Sequence, residues 1–397
     1  IDSQSNTITL TGTTANSGNT VAVTVLSSGD ITVVKAVDDN ESKPRLVIAG
    51  QEEVLGKFKF TSANEPMTVN KLQILVASSS SATATTTETS DEVSVVKLYD
   101  ATTGQQIGAS GGYSVIGSGA NAGIAIVEGL GWNLGKNEER TLIVKAPLGA
   151  IDINSANGAD SGTSLYVAVQ STGFEAAGST ALDTTITAAT SSQKVVYRGR
   201  PTVTWRSLPS GSLTTNPVAA RVRVAAGATP ISFKTLSLKV EPTGATVSAA
   251  TTSNVTVYDI TQAPSTALTL ATVVSGSQTA STGSTAIVGG ATGYVTVYFT
   301  TAEEIAPNSY SDYDVLLTLA NISGTVGAAK LNTKLSVAET SIPTVGTLDS
   351  VNGSADTGNP SFIWSDNSKI SHTESTSDWT TGFHTEFPVS TPWELSN

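Results

Sequence analysis

A stretch that occurs twice constrains this chain more than anything else in it. Residues 55–76 read LGKFKFTSANEPMTVNKLQILV and residues 219–240 read AARVRVAAGATPISFKTLSLKV, aligned without a gap at an offset of 164 residues. Lys57-Phe58-Lys59-Phe60 falls on Arg221-Val222-Arg223-Val224, Pro66 on Pro230, and Leu72 and Ile74 on Leu236 and Leu238. Each copy is two runs with apolar residues at every second position, joined by a polar corner that ends in proline, which is the pattern of paired strands. Basic residues alternate with apolar ones in the first run, so one face meets water and the other packs inward. A unit of this kind needs a second sheet over its apolar face. The chain is therefore expected to be all-β, with two tandem related β-sandwich domains of the Ig-like kind.

The flanking segments repeat in the same order. ITVVKAVDDNESKPRL from Ile31 is matched to VVYRGRPTVTWRSLPS from Val195 at the same offset, which sets the domains at 31–194 and 195–343. After the core pair come Val96–Asp100 and Val255–Asp259, then Gly123–Val127 and Gly293–Val297. Turns at Asn137 and Asn308 lead into Thr141–Ala146 and Tyr313–Ala320, and closing strands follow at Ser164–Gln170 and Lys330–Val337. That spacing of short strands suits a sandwich. The low-complexity run from Ala77 to Glu92 is expected as a surface loop and a candidate glycan-bearing tip. Residues 1–30 carry strand-like runs too small to bury a core alone: exchanged strands, or the end of an earlier repeat. Residues 344–397 form a linker, part of a Gly/Pro-rich stretch over 341–360, and an aromatic tail holding Trp364, Trp379 and Trp393.

Composition narrows the class. In 397 residues there is no cysteine, the net charge is −12, and 14% of residues are charged. Disulfides and thiolate metal sites are excluded, and a polyanionic nucleic acid would be repelled. No apolar run of 18 residues exists, so no membrane span is expected. The first residues have neither a basic nor an apolar leader segment, so a secretion signal is expected to be absent or already removed.

The phrases VYRGRPTVTWRSLPSGSL, VLGKFKFTSANEPMTVNKLQI and FIWSDNSKISHTESTSDWTTGF resemble the Thr-rich repeat proteins of ultrasmall, genome-reduced bacteria. Most of residues 31–397 shares the likeness, and Trp364-Ser365-Asp366-Asn367-Ser368 followed by Ser377-Asp378-Trp379-Thr380 is its most specific part. The resemblance implies a secreted surface-layer or cell-surface protein whose tail phrase ends the gene, and it supplies no catalytic residues. A start inside a repeat-like strand hints at a longer precursor.

Several motifs carry a chemical reading. Gly108-Ala109-Ser110-Gly111-Gly112 matches G-x-S-x-G, but that nucleophile needs a strand-to-helix elbow and a nearby histidine base, so a plain turn is expected. Ser365-Asp366-Asn367 matches an SDN box without the S-x-x-K helix that would make it catalytic. His372, Glu374, Asp378 and His384 could be imagined around a metal, at spacings that fit no common zinc pattern. Calcium suits the oxygen-rich loop of Asp152, Asn154, Asn157 and Asp160 better, and the run Asp38-Asp39-Asn40-Glu41 as well, though neither has EF-hand spacing. Sequons lie at Asn40, Asn254, Asn321 and Asn352. The tail tryptophans either pack into a domain or present faces to a sugar.

These readings converge on a non-enzymatic, extracellular structural subunit of a lattice or filament, without a required cofactor. Neighbouring copies are the expected partners, joined at strand edges with Ile8, Leu10, Val21, Val23 and Val25 setting register. The alternative is an adhesin or carbohydrate-binding protein that contacts surface glycans through the tail or the 77–92 loop.

Overall fold

The computed structural model describes residues 28–37, 39–79, 92–118, 122–151, 160–276, 284–335, 344–348, 362–381 and 393–397. It is all-β: strands follow one another along the chain, with one 3-10 turn at Asn40–Ser42. The proposed exchange residues Ile8, Leu10, Val21, Val23 and Val25 lie outside the described residues, as do nearly all of the 77–92 loop, Asp38, Asp152, Asn154, Asn157, Asn352 and His384.

The chain divides into two compact units: residues 1–43, 52–148 and 165–193 in the first, and 44–51, 149–164 and 194–397 in the second. In the first unit the repeated stretch forms strands Glu52–Ala63 and Met67–Ala77, each in a different sheet. Glu52–Ala63 pairs antiparallel with Asp30–Lys35 and Glu139–Pro147, and Glu139–Pro147 pairs with Val95–Asp100. Met67–Ala77 pairs on one side with Ile124–Leu134, and on the other with Ser164–Val169 and then Glu175–Ala177. Alternation decides which side chains go inward. Phe58, Phe60, Leu72 and Ile74 are fully buried, and Phe60 meets Trp132 of the facing sheet edge-on at 5.2 Å.

The second unit repeats this plan. Val218–Ala225 pairs with Thr202–Trp205 and Tyr310–Leu317, and Tyr310–Leu317 pairs with Val255–Asp259. Ile231–Thr243 pairs with Gly293–Ile305 on one side, and with Lys330–Leu335 and Trp364–Ser365 on the other. Phe233 is the hub of its core: fully buried, edge-on to Phe299 and Tyr313, and stacked on Phe362 at 5.3 Å. The turn asparagines Asn137 and Asn308 sit at φ 56° and 54°, a left-handed conformation that asparagine tolerates better than most residues.

Outer faces carry the basic residues, as the alternation predicts. Arg221 holds Asp314 through two bonds of 2.6 Å, and Arg223 holds Asp312 at 2.7 and 2.8 Å. Lys57 binds Asp39 at 2.5 Å and Glu41 at 2.6 Å, and the Asp39 carboxylate also accepts from the Ser42 N–H at 2.7 Å. A lysine ammonium thus already serves the two carboxylates of the 39–41 run considered for calcium.

Three boundaries differ from the sequence reading. Register shows that the counterpart of Asp30–Lys35 is Thr202–Trp205: Lys35 faces Phe58, and Trp205 faces the equivalent Val222. The offset is 170 residues there and not 164, because the loop that follows differs in length. Val195–Tyr197 instead runs parallel to Leu46–Ile48, and residues 44–51 and 149–164, placed by sequence in the first domain, pack in the second unit. Thr344–Gly346, within the stretch read as linker, is a strand paired with Trp379–Thr381.

The hub makes a test of the second core. Phe233→Ala is expected to cost about 3–5 kcal/mol, read as a lower denaturation midpoint. Phe233→Leu, which keeps most of the volume, is expected to cost less than half of that.

Candidate functional site

The segment 362–381 gathers the polar groups that sequence reasoning singled out, so the site is built there. Two short strands fix it. Trp364–Ser365 pairs with Ser232 and Phe233 on one side and with Trp379–Thr380 on the other. Trp364 and Trp379 are fully buried and Trp393 is 2% exposed. Trp364 lies against Tyr197 at 5.1 Å, whose hydroxyl shares a 2.8 Å hydrogen bond with Thr380 Oγ1. The Trp379 indole N–H donates to the Thr373 carbonyl, and that of Trp393 to the Arg206 carbonyl, each at 2.8 Å. Stacking on a pyranose needs an open ring face. These three rings have none, and they are core.

Between the two strands the chain loops out, and its carboxylates turn back inward. Asp378 accepts from Thr376 Oγ1 at 2.6 Å and from the Lys369 N–H at 3.2 Å, and its other partner is His372 Nδ1 at 3.0 Å. Burial pushes its carboxyl up, but the hydrogen bonds from His372 and Thr376 outweigh that and hold it at about 2. Asp366 is fully buried. Its Oδ2 accepts from the Arg198 N–H at 2.8 Å and from the Ser161 hydroxyl, while burial moves the carboxyl above its ordinary range. The backbone carbonyl of Asn367 takes the Arg198 guanidinium at 2.9 Å. Tail and body are therefore tied through residues distant in sequence.

The imagined metal set does not converge. Glu374 is ion-paired with Lys234, which also donates to the Thr300 carbonyl, and His372 is committed through Nδ1 to Asp378. Among the described residues no three of His, Asp or Glu are grouped to hold a metal ion. Asp160, the described member of the oxygen-rich loop, pairs with Lys369 at 3.2 Å.

Gly108 and Gly112 have φ of 74° and 79°. Gln106 Nε2 donates to the Ala109 and Ser110 carbonyls, which makes this G-x-S-x-G a closed turn with an exposed serine and no elbow. Of the sequons, Asn40 and Asn321 are exposed, and the Asn254 amide nitrogen that would carry a glycan donates to the Ala249 carbonyl at 2.9 Å.

Sequence reasoning missed the second unit's acidic pair. In the first unit Asp100 accepts from the Trp132 indole at 2.7 Å and pairs with Arg140 at 2.7 Å. By strand register, Asp259 stands where Asp100 does, Glu303 where Trp132 does, and Ser311 where Arg140 does. Burial and then the Asp259 charge push the Glu303 carboxyl up. An alignment carried past the core stretch would have revealed it.

No family model matches the chain, and no curated relative matches it. Similar solved structures include a serine-rich repeat adhesion glycoprotein (Srr1) from Streptococcus agalactiae, 10% identical, covering 78% of this chain and 92% of that one at a TM-score of 0.19. The C-terminal domain of the Streptococcus pyogenes antigen I/II-family protein AspA is 8% identical, with 79% and 96% covered and a TM-score of 0.19. The YadV chaperone is 11% identical, with 77% and 93% covered and a TM-score of 0.17. TM-scores this low carry no argument about what the chain does. Among the described residues no helix is long and apolar enough to cross a membrane.

Asp378 makes the pH dependence of this segment predictable. Its folded pKa lies below the unfolded value near 3.8, so its contribution is present above pH 4 and is lost as pH falls from about 4 to about 2. Asp378→Asn is expected to cost about 1–2 kcal/mol at neutral pH and only a small fraction of that near pH 2, measured by urea unfolding across that range.

Proposed function

We propose that this protein is a non-enzymatic structural subunit of an extracellular cell-surface assembly, a lattice or a filament, whose copies associate through strand edges. The observation that carries the reading is a partly open, partly apolar edge. Asp30–Lys35 borders its sheet and is paired with Glu52–Ala63 alone among the described strands; Asp183 accepts its Ile31 N–H at 2.9 Å at one end, and the strand exposes 54% of Val34, with Val37 just beyond it at 61%. An edge of that kind is a template for an added strand unless charge or proline blunts it. Thr202–Trp205 borders the matching sheet of the second unit, and Trp205 is 37% exposed.

Residues 1–27 supply the strand. Ile8 and Leu10, then Val21, Val23 and Val25, alternate as a strand laid on such an edge must, with main-chain bonds giving affinity and alternate side chains giving register. Donation from one copy to the next is a heterologous contact, which propagates and does not close. Low charge and the absence of cysteine suit an exposed surface outside the cell. The adhesin reading survives in altered form. The buried tail tryptophans remove that surface as a sugar platform, which leaves loop tips as the contact.

Negative-stain electron microscopy and light scattering of the full chain decide between the two. Ordered sheets or fibres are expected, with dispersion on deleting residues 1–27 and a much slower assembly in Val34→Lys, which places a charge on the edge. A full chain that stays monomeric at high concentration would overturn the assembly reading and leave glycan binding as the next assay.

A further inference from the structure

One place in the second unit is filled by a short piece of chain that returns to it late. Trp393–Ser396 lies antiparallel to Lys330–Leu335, with Thr333 opposite Trp393, Asn332 opposite Glu394 and Leu331 opposite Leu395. On the other side the Ser396 N–H donates to the Gly211 carbonyl at 3.0 Å, and the Ser396 carbonyl accepts from the Leu213 N–H at 2.9 Å. Side chains alternate. Trp393 and Leu395 are 2% and 1% exposed and belong to the core, whereas Glu394 is exposed beside Lys330. The Trp393 ring is stacked on Trp205 at 6.3 Å, and its N–H is held by the Arg206 carbonyl. Asn397 adds two bonds, its carbonyl accepting from the Gly327 N–H at 2.8 Å and its amide oxygen from the Ala329 N–H at 3.0 Å. Main-chain bonds along an edge, with every second side chain in a pocket, are how a sheet recognises an extended peptide.

The first unit fills the matching place differently. There Ala189 and Thr190 stand opposite Val169 and Ala168, and the Ser191 N–H donates to the Val167 carbonyl at 2.8 Å. Register puts Val167 where Thr333 is, so Ser191 is the equivalent of Trp393. In the second unit the chain first forms Thr344–Gly346, Trp364–Ser365 and Trp379–Thr381, and only then supplies Trp393–Ser396. The seat and the piece that fits it are thus separate parts of one chain, and every copy carries both. Exchange between copies keeps each contact and needs no new surface. Eleven residues, 382–392, stand between Thr381 and Trp393, a connection that spans at most roughly 40 Å, enough to reach a molecule packed alongside. A piece held by its own chain competes at an effective concentration on the order of millimolar, so exchange belongs to copies that are closely packed.

We propose that the groove between Lys330–Leu335 and Gly211–Leu213 is a strand-acceptor site that takes residues 393–397 of a second copy in exchange for its own. Trp393 and Leu395 are the anchors. Reciprocal exchange closes a dimer, and exchange handed from copy to copy runs on as a chain. This joint does not use residues 1–27, and it rests on the proposed self-association only for bringing copies close together.

The chain has no cysteine, so engineered thiols report on this joint alone. Asn332→Cys and Glu394→Cys place thiols on directly opposed residues, at a separation that a disulfide spans. The full chain carrying both is expected to close within itself on oxidation at low concentration. The two single variants, mixed at high concentration and then oxidised, are expected to give a disulfide-linked dimer with one chain of each. A peptide of residues 390–397 carrying Glu394→Cys is expected to be captured by full-length Asn332→Cys, and a peptide that also carries Trp393→Ala to be captured at least about tenfold less. A double variant that closes while the mixed single variants never join would overturn the exchange, and one that does not close would overturn the register on which it rests. Capture indifferent to Trp393→Ala would overturn the anchor. The readout is a bond between two chains and needs no lattice, so a chain that stays dispersed in the microscope yet gives the mixed dimer separates this joint from the contact made by residues 1–27.

Discussion

One long strand in each unit must satisfy two different neighbours on the same side, and the rest of the unit depends on how it does so. Met67–Ala77 is covered by Ser164–Val169 along one half and by Glu175–Ala177 along the other. Ile231–Thr243 is covered by Lys330–Leu335 and by Trp364–Ser365 in the corresponding places. Val69 faces Ala176, and its equivalent Phe233 faces Trp364. The terminal segment is therefore the second copy's own closing strand. Without it, half of a buried strand edge would be left with unpaired N–H and C=O groups, which a protein interior does not tolerate. This explains why so many aromatic residues stand so late in the chain: Phe362 and Trp364 fill the core around Phe233, Trp364 standing where the first unit has Ala176, and Trp379 packs in a smaller cluster with Leu348 and Ile363.

The two copies share a backbone plan and differ in how they balance charge. Asp100 and Asp259 both cap the turn that follows their strand. Each accepts from two backbone N–H groups through Oδ1, Thr102 and Thr103 in one case and Thr261 and Gln262 in the other. Behind that shared role the first unit supplies an indole N–H and a guanidinium, whereas the second supplies another carboxylate and a serine. The conserved part of the arrangement is what the backbone requires. The variable part lies where side chains meet across the sheets, and there the second unit sets Glu303 within reach of the Asp259 charge.

How much of this was readable beforehand follows from the physics of each element. The core strands were legible because burial on one face forces a period of two, and Phe58, Phe60, Leu72 and Ile74 obey it. The first strand was misplaced by six residues because an edge strand's register comes from its pairing with a neighbour, and sequence distance across a loop does not record it. Thr344–Gly346 and Trp364–Ser365 were invisible as strands, since two or three residues show no alternation. Their burial was foreseeable from the aromatic density of the tail, but their partners were not.

The Asp366 cluster was the least legible feature, although its residues were singled out. Ser365-Asp366-Asn367 drew attention as an enzyme box, a reading that depends on a helix this fold does not have. What matters about Asp366 is its burial beside Ser161 and Arg198, residues some two hundred positions earlier in the chain. Local sequence does not record that burial. The same tie gives the tail its consequence for the whole unit. A segment that closes a sheet by two residues of pairing has little hold of its own, so the polar contacts that flank it decide how firmly the core stays shut. Asp378, fastened by Thr376, His372 and the Lys369 N–H, secures one end of the loop, and Asp366 secures the other through Ser161 and Arg198. Weakening either would release Trp364 and Trp379 together, because the loop joins the two strands that bury them.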